Sequence, residues 1–343
     1  MEHVAIDLGG MESQVCVRSA DGTILEELKW PTTRLSSYLK RRPASRVVVE
    51  TSAEAFAVAD GALELGHEVR VVPATLVRSL GVGARGIKTD RRDAQVLSEV
   101  SCRIDLPSVH VPREISRSRK AMCGMREGLI ECRTKLINCV RGWLRTKLLK
   151  IPSGRSETFP ERIRSKLKSN PEGMPEHVER LLLVLDKLNE QIKAADDELL
   201  QLAKEDETCK RLMSVPGVGP VTALRFTAAL DDIGRFATAH AVQSYLGLTP
   251  GENSSSLRKQ RTGITKAGSP RVRWTLVQAC WSMRRTRPQD PIVLWAQQVE
   301  QRRGKWVAII AMARKLAGIL YAMWRDGAEY NPKHQERKEA LKT

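Results

Sequence analysis

The spacing of apolar residues changes twice along the chain, and each change marks a different kind of structure. Through residue 110, short apolar runs alternate with segments of helical spacing, which predicts an α/β sheet domain. The predicted strands lie at 4–8, 13–17, 46–50 and 69–73. The run at 46–50 is almost continuously apolar, which is typical of a parallel strand covered on both faces. Asp21 and Gly22 predict a hairpin turn, after which Ile24 and Leu25 open the return strand.

Between residues 116 and 207 the apolar residues recur every three or four positions, the pattern of helices that pair along their length. The seams are Met122, Met125, Leu129, Cys132, Leu136, Cys139 and Trp143 in the first helix, and Leu181, Leu185, Leu188, Ile192, Ala195, Leu199 and Leu202 in the second. Prolines and glycines between 152 and 175 predict an irregular connection. We expect an antiparallel pair within one chain or a dimer seam, with an ordinary helical bundle as the alternative.

From residue 208 onward the pattern is again mostly helical, and the last residues are charged. We therefore expect four segments: an α/β domain at 1–110, a helical coiled-coil segment at 111–207, a mostly α-helical C-terminal domain at 208–330, and a charged tail at 331–343.

Charge is high and unevenly distributed. The formal net charge is +17. Residues 110–170 hold 16 basic and 5 acidic side chains, 171–208 hold 4 and 11, and 254–287 hold 9 and none. Two positive segments separated by a negative one indicate a polyanionic partner, most simply nucleic acid. A solvated basic surface is the alternative.

Other classes of protein lack support in the sequence. No run approaches the roughly 18 uninterrupted apolar residues of a membrane span, and the first residues lack the pattern of a signal peptide. The seven cysteines are odd in number and include no C-x-x-C pair, and the six histidines are scattered, which argues against a disulfide framework or a zinc site. We expect a cytoplasmic protein with reduced thiols.

Four carboxylates of the first domain are candidate metal ligands. Asp7 lies within an apolar run, where a charge is costly unless it is paired or metal-bound. Glu50 ends another strand, where α/β sheets place ligands. Asp90 and Asp93 open a predicted helix at a spacing that puts both on one face. If they converge, they would suit magnesium or manganese, and a pair of such ions can assist displacement at a phosphodiester. Taken singly, Asp90 is equally a helix N-cap, and Glu50 could pair with an arginine.

The four carboxylates and their local strings AIDLGG, VVVETS and KTDRRDA resemble the DEDD transposases of the insertion-sequence one-ten family. The resemblance implies an N-terminal domain similar to the RuvC Holliday-junction resolvase, with an RNase-H-like fold, in which these carboxylates hold Mg²⁺ or Mn²⁺. KTDRRDA is the more specific string. AIDLGG also resembles the first strand of sugar kinases and actin-like ATPases.

Residues 212–223 contain a Pro-Gly-x-Gly turn before a predicted helix and look like a helix-hairpin-helix motif. Gly217 and Gly219 would bring backbone N–H groups and a helix N-terminus close to a phosphate without reading bases. A tight turn between two packed helices is the alternative.

The segment from Tyr245 to Gly268 resembles the C-terminal domain of the same family, whose hallmark is a nucleophilic serine after a Gly-Leu-x-Pro string. By its offset from Pro250 the matching residue is Ser255. Ser256 stands where the family has glycine, so the nucleophile stays open among Ser254, Ser255 and Ser256. A serine that attacks phosphorus forms a covalent link to DNA. The candidates for stabilising that phosphorus are Arg258, Lys259, Arg261 and Lys266. From the residues alone, a flexible polar loop is the alternative.

Two further pairs lie at the start of a predicted helix. Arg271 and Arg273 are candidates for contacts to backbone phosphates. Trp274 and Trp281 are seven residues apart, so they share a helical face, and we expect them to be core residues rather than base-stacking platforms.

The resemblance covers nearly the whole chain and implies a DNA transposase that works with a structured bridge RNA, which pairs with donor and target DNA. It further implies a 5′-phosphoserine intermediate, assisted by magnesium, in a dimer or tetramer whose protomers share the site. The alternatives are a RuvC-like endonuclease that activates water, an actin-like kinase, and a non-catalytic nucleic-acid-binding protein.

Overall fold

The computed structural model describes residues 1–79, 89–168, 173–255 and 258–332, and the side chains of 78, 79, 253–255 and 258–261 lie outside the description. The chain divides into two compact units, Met1–Pro112 and Arg113–Thr343. The finer division of the second unit into a helical segment and a C-terminal domain stays a prediction.

The first unit is a mixed five-stranded sheet with helices on both faces. Its strands are β1 (His3–Asp7), β2 (Glu12–Arg18), β3 (Ile24–Pro31), β4 (Arg46–Glu50) and β5 (Glu68–Val72), in the order β3-β2-β1-β4-β5. Strands β1, β4 and β5 are parallel, and β2 and β3 are antiparallel to their neighbours. Its helices are α1 (Leu35–Leu39), α2 (Ala55–Glu64), α3 (Ala74–Ser79) and α4 (Asp90–Arg103). The predicted α/β class, the hairpin at Asp21-Gly22 and the buried parallel strand at 46–50 are confirmed.

Alternation along the central strands assigns the two faces of this sheet. Val4 and Ile6 of β1 and Val47 and Val49 of β4 are fully buried in one cluster with residues of α1 and α2. The intervening positions face the other way, where Ala5 and Val48 form a second cluster with Leu97 of α4. Since successive strand residues point to opposite faces, β1 and β4 are apolar at nearly every position.

The second unit is helical apart from one two-stranded ribbon. Its helices are α5 (Glu114–Thr146), α6 (Phe159–Lys168), α7 (Glu176–Glu205), α8 (Glu207–Met213), α9 (Pro220–Leu230), α10 (Ala239–Tyr245), α11 (Pro270–Thr286), α12 (Pro291–Arg303) and α13 (Lys305–Asp326). The ribbon consists of β6 (Pro250–Ser255) and β7 (Arg258–Ile264). Helix α6 lies within the connection predicted as irregular. Pro160 is in the first turn of α6, where its missing N–H is not needed, so it starts the helix rather than breaking it.

Helices α5 and α7 form an antiparallel pair within the chain. Arg119 bonds Asp206 at 2.7 Å, Arg126 bonds Asp196, and Arg133 donates to Asn189 at 3.1 Å, so the order of partners runs in opposite directions along the two helices. The basic helix thus lies along the acidic one.

The predicted seam of α7 is confirmed, because Leu185, Ile192 and Leu199 are buried. The predicted seam of α5 is confirmed only in part: Met122, Leu136 and Trp143 pack against core clusters. It is wrong at Met125, which is 73% exposed, and at Cys132 and Cys139, which are exposed. The buried face of α5 lies one position away and comprises Cys123, Arg133, Ile137, Val140 and Leu144.

Helix α13 is at the centre of the remaining core. It packs against α10, α11 and α12 and contributes Ile309, Met312, Leu316 and Leu320 to the largest cluster of the chain. Among the helices that the structure describes, it is also the one long and apolar enough to cross a membrane, with a mean hydropathy of 1.5. More than half of that stretch is buried inside the second unit, as in the core helix of a globular domain.

Candidate active site

Two carboxylates lie side by side at the carboxyl edge of the sheet. Asp7 is the last residue of β1 and Glu50 the last of β4. The two strands are parallel neighbours, and their register pairs Ile6 with Val49, which brings the next residues, Asp7 and Glu50, to adjacent positions. Both side chains are partly exposed, so the expectation that Asp7 is enclosed within a strand is corrected. The predicted position of Glu50 at a strand end is confirmed.

Helix α4 adds a third carboxylate to the same face. It runs antiparallel to β1, because Ser101 near its end bonds His3 at the start of β1, with Oγ and Nδ1 2.8 Å apart. One turn earlier, Leu97 packs with Ala5. If the same spacing, four helical residues for two strand residues, continues, Asp93 is expected near Asp7. The side chain of Asp93 is only 3% exposed, as expected for a residue held between helix and sheet.

Asp90 occupies a different environment. It is the first residue of α4 and is exposed, whereas Asp93 is buried, so the two aspartates are not equivalent members of one face. The alternative assignment of Asp90 as the N-cap is also wrong. The cap is Thr89, whose Oγ1 accepts from the N–H of Arg92 at 3.4 Å.

Glu27 on β3 fixes the start of α4, and the sequence analysis did not single it out. Its carboxylate accepts from Arg91 at 2.6 Å and from Gln95, one turn apart on the helix. Burial alone would raise the pKa of Glu27, but these donors outweigh it and lower the pKa. Glu27 pairs with Cys16 of β2 and lies on the face of the sheet that α4 covers. Because alternate residues of a strand point to the same face, the position of Glu27 in β3 was the signal that could have predicted this contact.

The turn after Asp7 depends on Gly9. A Cβ at Gly9 would lie 2.2 Å from the carbonyl oxygen of Glu12, so another residue cannot be placed there without moving the chain. The hydroxyl of Thr32 donates to the Gly9 carbonyl at 2.7 Å and bonds Ser13 at 2.7 Å. Gly9, the first glycine of AIDLGG, therefore has a structural role in holding the end of β1, whereas a Cβ at Gly10 would meet no described atom within 4 Å.

The strand ends and α4 offer Asp7, Glu50 and Asp93 as candidate ligands at this edge of the sheet. Oxygen donors of this kind fit a hard divalent cation such as Mg²⁺. Within the described ranges, no group of three or more histidine, cysteine or acidic side chains is already arranged to hold a metal ion. A shared site for the three carboxylates therefore stays a prediction.

The predicted serine lies in the ribbon of the second unit. Ser254 and Ser255 are the last two residues of β6, and the backbone pairs them with Lys259 and Arg258 of β7. The backbone of Ser255 is therefore part of a paired strand, and whether its side chain is a nucleophile or belongs to a polar loop without chemistry stays open. Ser256 and the side chains of Arg258, Lys259 and Arg261 lie outside the described residues.

The base of this ribbon is held by close backbone contacts. A Cβ at Gly268 would lie 2.1 Å from the carbonyl oxygen of Tyr245, and one at Gly247 would lie 2.5 Å from the N–H nitrogen of Ala267. Lys266 is exposed and has a φ of +58°, and its N–H donates to the Gly247 carbonyl at 3.1 Å. These contacts fix the two strands where they leave the helical core.

Arg271 and Arg273 have different surroundings. Arg271 is exposed and pairs with Glu127 of α5 at 3.0 Å. The guanidinium of Arg273 donates to the carbonyls of Leu246 and Gly268, and burial lowers its pKa. The observed contacts of Arg273 therefore hold the base of the ribbon, and a phosphate contact by either arginine stays a prediction.

The tryptophans of α11 also differ from each other. Trp281 is partly buried against the helical core, in line with the expectation. Trp274 is 56% exposed, so the expectation that it is a core residue is wrong.

The Pro-Gly-x-Gly turn joins α8 to α9, as the helix-hairpin-helix interpretation requires. Gly217 has a φ of +84°, and a Cβ there would lie 2.4 Å from the carbonyl oxygen of Ala279 on α11. Gly219 is the N-cap of α9, and a Cβ added to it would meet no described atom within 4 Å. Gly217 thus serves a close contact with α11, and Gly219 is the one with open space beside its backbone.

Comparison with known proteins places both regions in one group. Residues 4–148, which include all four candidate carboxylates, match the profile of the IS110-type DEDD transposases, described as "Transposase". Residues 209–291, which include Gly217, Gly219 and Ser255, match the profile described as "Transposase IS116/IS110/IS902 family".

Individual relatives agree with the profiles. The chain is 32% identical over 242 residues to the transposase for insertion sequence element IS1111A of Coxiella burnetii, which covers 69% of this chain and 66% of that protein. It is 27% identical over 342 residues to the transposase for insertion sequence element IS1328 of Yersinia enterocolitica, which covers 96% of this chain and 98% of that protein. A putative transposase of Sinorhizobium fredii is 28% identical over 92% of this chain and 81% of its own length.

Proposed function

The chain belongs to the IS110 family of DEDD transposases, and from this premise we propose that it cuts and rejoins DNA through a covalent phosphoserine intermediate, guided by a structured RNA. The observation that carries the proposal is that Asp7 and Glu50 end neighbouring parallel strands, while α4, which holds Asp93, runs antiparallel to β1 on the same sheet. The mixed sheet with helices on both faces supports a RuvC-like assignment for the first unit.

Asp7, Glu50 and Asp93 would hold Mg²⁺, with Asp90 as an exposed fourth carboxylate at the start of α4. A divalent ion held there would supply positive charge that polarises a phosphoryl oxygen and offsets the negative charge on the oxygens around phosphorus. Glu27 holds the first turn of α4 in place through Arg91 and Gln95, so it positions Asp90 and Asp93 without being a ligand itself.

Ser255 is the nucleophile in this proposal. Its Oγ attacks a DNA phosphorus, an O–P bond to the serine forms, and the bond from phosphorus to the 3′ oxygen breaks. The serine proton is lost and the departing 3′ oxygen gains one, leaving a 3′-hydroxyl and a 5′-phosphoserine. After strand exchange a 3′-hydroxyl attacks the same phosphorus and releases the serine. The backbone position of Ser255, at the end of β6 in a ribbon whose base is held by close contacts, supports this role.

The basic segments would contact nucleic-acid backbones. The basic segment 110–170 includes the long helix α5, which carries exposed cations such as Lys120, Lys135 and Arg141. Phosphate contacts of this kind bind DNA or RNA without reading sequence, which in this proposal is read by pairing with the guide RNA.

The exposed stripe of α5 around Met125, Cys132 and Cys139 supports a second role for that helix. A row of apolar and thiol side chains left uncovered by α7 suits contact with another copy, so we assign α5 to assembly of a dimer or tetramer.

The serine is tested by mixing the purified chain with its guide RNA and labelled donor DNA and resolving the denatured products on a gel. Ser255→Ala should abolish DNA that migrates with the protein while leaving binding of DNA and RNA intact. Ser254→Ala is the matched control and should retain the covalent product. A Ser255→Ala protein that still forms the product would overturn the nucleophile assignment.

The carboxylates are tested in the same assay. Asp7→Asn should remove strand cleavage that depends on Mg²⁺, and unchanged cleavage would count against the metal site. Cleavage by the natural sequence without any covalent product would favour the alternative, a RuvC-like endonuclease in which the carboxylates activate water and the serine is idle.

A further inference from the structure

The turn between α12 and α13 presents an indole ring to solvent. Trp306 is the second residue of α13, and it is 75% exposed. Its ring lies 6.1 Å from that of Trp281 on α11, at an interplanar angle of 82°. Trp281 is itself packed against the helical core, so it gives Trp306 a fixed support. A large aromatic ring held in place yet left in water is typical of a contact site.

Positive charge surrounds this pair of rings. The ammonium of Lys305 lies 5.1 Å from the centroid of Trp281, and the guanidinium of Arg284 lies 5.5 Å from it. Arg302, Arg303 and Lys305 are all exposed. The acidic residue beside them, Glu300, accepts from Arg284 at 2.6 Å, so its charge is already neutralised by that contact.

The backbone explains why these side chains are together. Gly304 separates α12 from α13 and has a φ of +83°. Residues with a side chain adopt this backbone angle only with strain. The chain therefore reverses between Arg303 and Lys305. The last turn of α12 and the first turn of α13 then present their basic residues, with Trp306, at one end of the helix pair.

We propose that Trp306 is a stacking platform for an unpaired nucleobase, with Arg302, Arg303 and Lys305 contacting the phosphates on either side. Every base has a π face, and cations beside an exposed ring suit the alternation of base and phosphate along a single strand. A protein partner would need a wider apolar surface than one ring and the neighbouring Val307. The bases of a duplex are stacked on each other and offer no free face. This inference rests on the proposed function in one respect, that the ligand is a nucleic acid, and it uses none of the residues assigned to catalysis.

The test measures binding of 15-nucleotide single strands by fluorescence anisotropy, as DNA and as RNA, each with normal and with abasic nucleotides. For the natural sequence, removal of the bases should weaken binding about tenfold, in the range measured for one base stacked on one aromatic ring. Trp306→Leu should weaken binding of the normal strand by a similar factor and show no further loss with the abasic strand. Trp306→Tyr, which keeps a ring, should bind within about threefold of the natural protein.

The control is Leu183→Ala, which removes an exposed apolar side chain from α7. This variant should bind the strands as the natural protein does. The platform is supported if Trp306→Leu weakens binding of the normal strand but not of the abasic strand. Whether this happens with DNA, with RNA or with both identifies the strand that Trp306 binds. The proposal is overturned if Trp306→Leu binds both normal strands within twofold of the natural protein. It is also overturned if the substitution weakens binding of the abasic strands as much as binding of the normal strands. Covalent capture of donor DNA that persists in that case would leave the proposed function standing, and stacking without covalent capture would remove the proposed function alone.

Discussion

Replacing Gly217 by alanine should destabilise the second unit, whereas the same change at Gly219 should leave its stability nearly unchanged. The two glycines are two residues apart in one turn and differ in backbone and surroundings. Gly217 has a φ of +84° and faces α11, where a Cβ would lie 2.4 Å from the carbonyl oxygen of Ala279 and 3.0 Å from the nitrogen of Met283. Gly219 has a φ of −98° and open space beside it.

The magnitude follows from two costs at Gly217. A left-handed backbone costs an alanine about 1–2 kcal/mol, and forcing an extra carbon into a packed contact costs about 1–3 kcal/mol. Their sum is about 2–5 kcal/mol. At Gly219 two small terms oppose each other: alanine is a poorer N-cap than glycine, but it lowers the conformational entropy of the unfolded chain by about 0.4–1 kcal/mol. The net change should be within about 0.5 kcal/mol.

Thermal unfolding followed by circular dichroism measures both variants under the same conditions. For a unit of this size, 1 kcal/mol shifts the midpoint by about 2–4 °C, so Gly217→Ala should lower it by about 4–20 °C and Gly219→Ala by about 2 °C or less. If Gly217→Ala melted within 2 °C of the natural protein, the close packing of the turn on α11 would be refuted. Weaker DNA binding by a fully stable Gly219→Ala variant would in turn support a backbone contact to phosphate at that residue.

Two further predictions concern Glu27, which holds the start of α4, and the reactivity of the cysteines. Because the pKa of Glu27 is lowered from its ordinary 4.5, its stabilising effect is present above that pH and is lost as the pH falls through the lower folded value. Glu27→Gln should therefore cost about 1–2 kcal/mol at pH 7 and nothing in strong acid, and should speed amide hydrogen exchange at the start of α4. A variant as stable as the natural protein at pH 7 would contradict this. In a thiol titration at a dilution that keeps the chain monomeric, Cys132 and Cys139 should react first, and their reaction should slow where another copy covers α5. The buried Cys16, Cys123, Cys209 and Cys280 should react only on unfolding, because burial raises the pKa of each, that of Cys209 to about 12. Rapid reaction of Cys209 would show that the α8–α9 core opens.

The sheet could be predicted because its central strands are buried on both faces. Runs such as 46–50 leave few polar positions to confuse strand with helix, and Asp21-Gly22 has few uses other than a turn. The face of α5 could not be predicted in the same way. Its buried side includes Arg133, which is held by Glu157 and Asn189 from segments far along the chain. Apolar periodicity cannot register a charged residue that is buried because distant partners satisfy it.

The candidate site was predictable as a set of residue types, and its geometry was not. The strings around Asp7, Glu50 and Asp93 mark them as candidates, but nothing in the strings tells which way α4 runs across the sheet. The bond between His3 and Ser101 settles that direction. The N-cap of α4 could not be predicted from residue type, because both threonine and aspartate cap helices. Only the backbone distinguishes the cap, Thr89, from the first helical residue, Asp90.

The ladder between β1 and α4 explains why a contact at one end of the sheet bears on the carboxylates at the other. One step of this contact pairs four helical residues, which rise about 6.0 Å, with two strand residues, which rise about 6.7 Å. The two elements therefore shift along their axes by about 0.7 Å relative to each other at each step. From His3 and Ser101 to Asp7 and Asp93 there are two steps, and the mismatch of about 1.4 Å is within the reach of a side chain. Helix α4 begins at Asp90, so the contact with β1 runs out close to the predicted ligand Asp93. The hydrogen bonds from Arg91 and Gln95 to Glu27 hold this free end of α4 on the sheet, so the position of Asp93 depends on Glu27 as well as on the contact with β1.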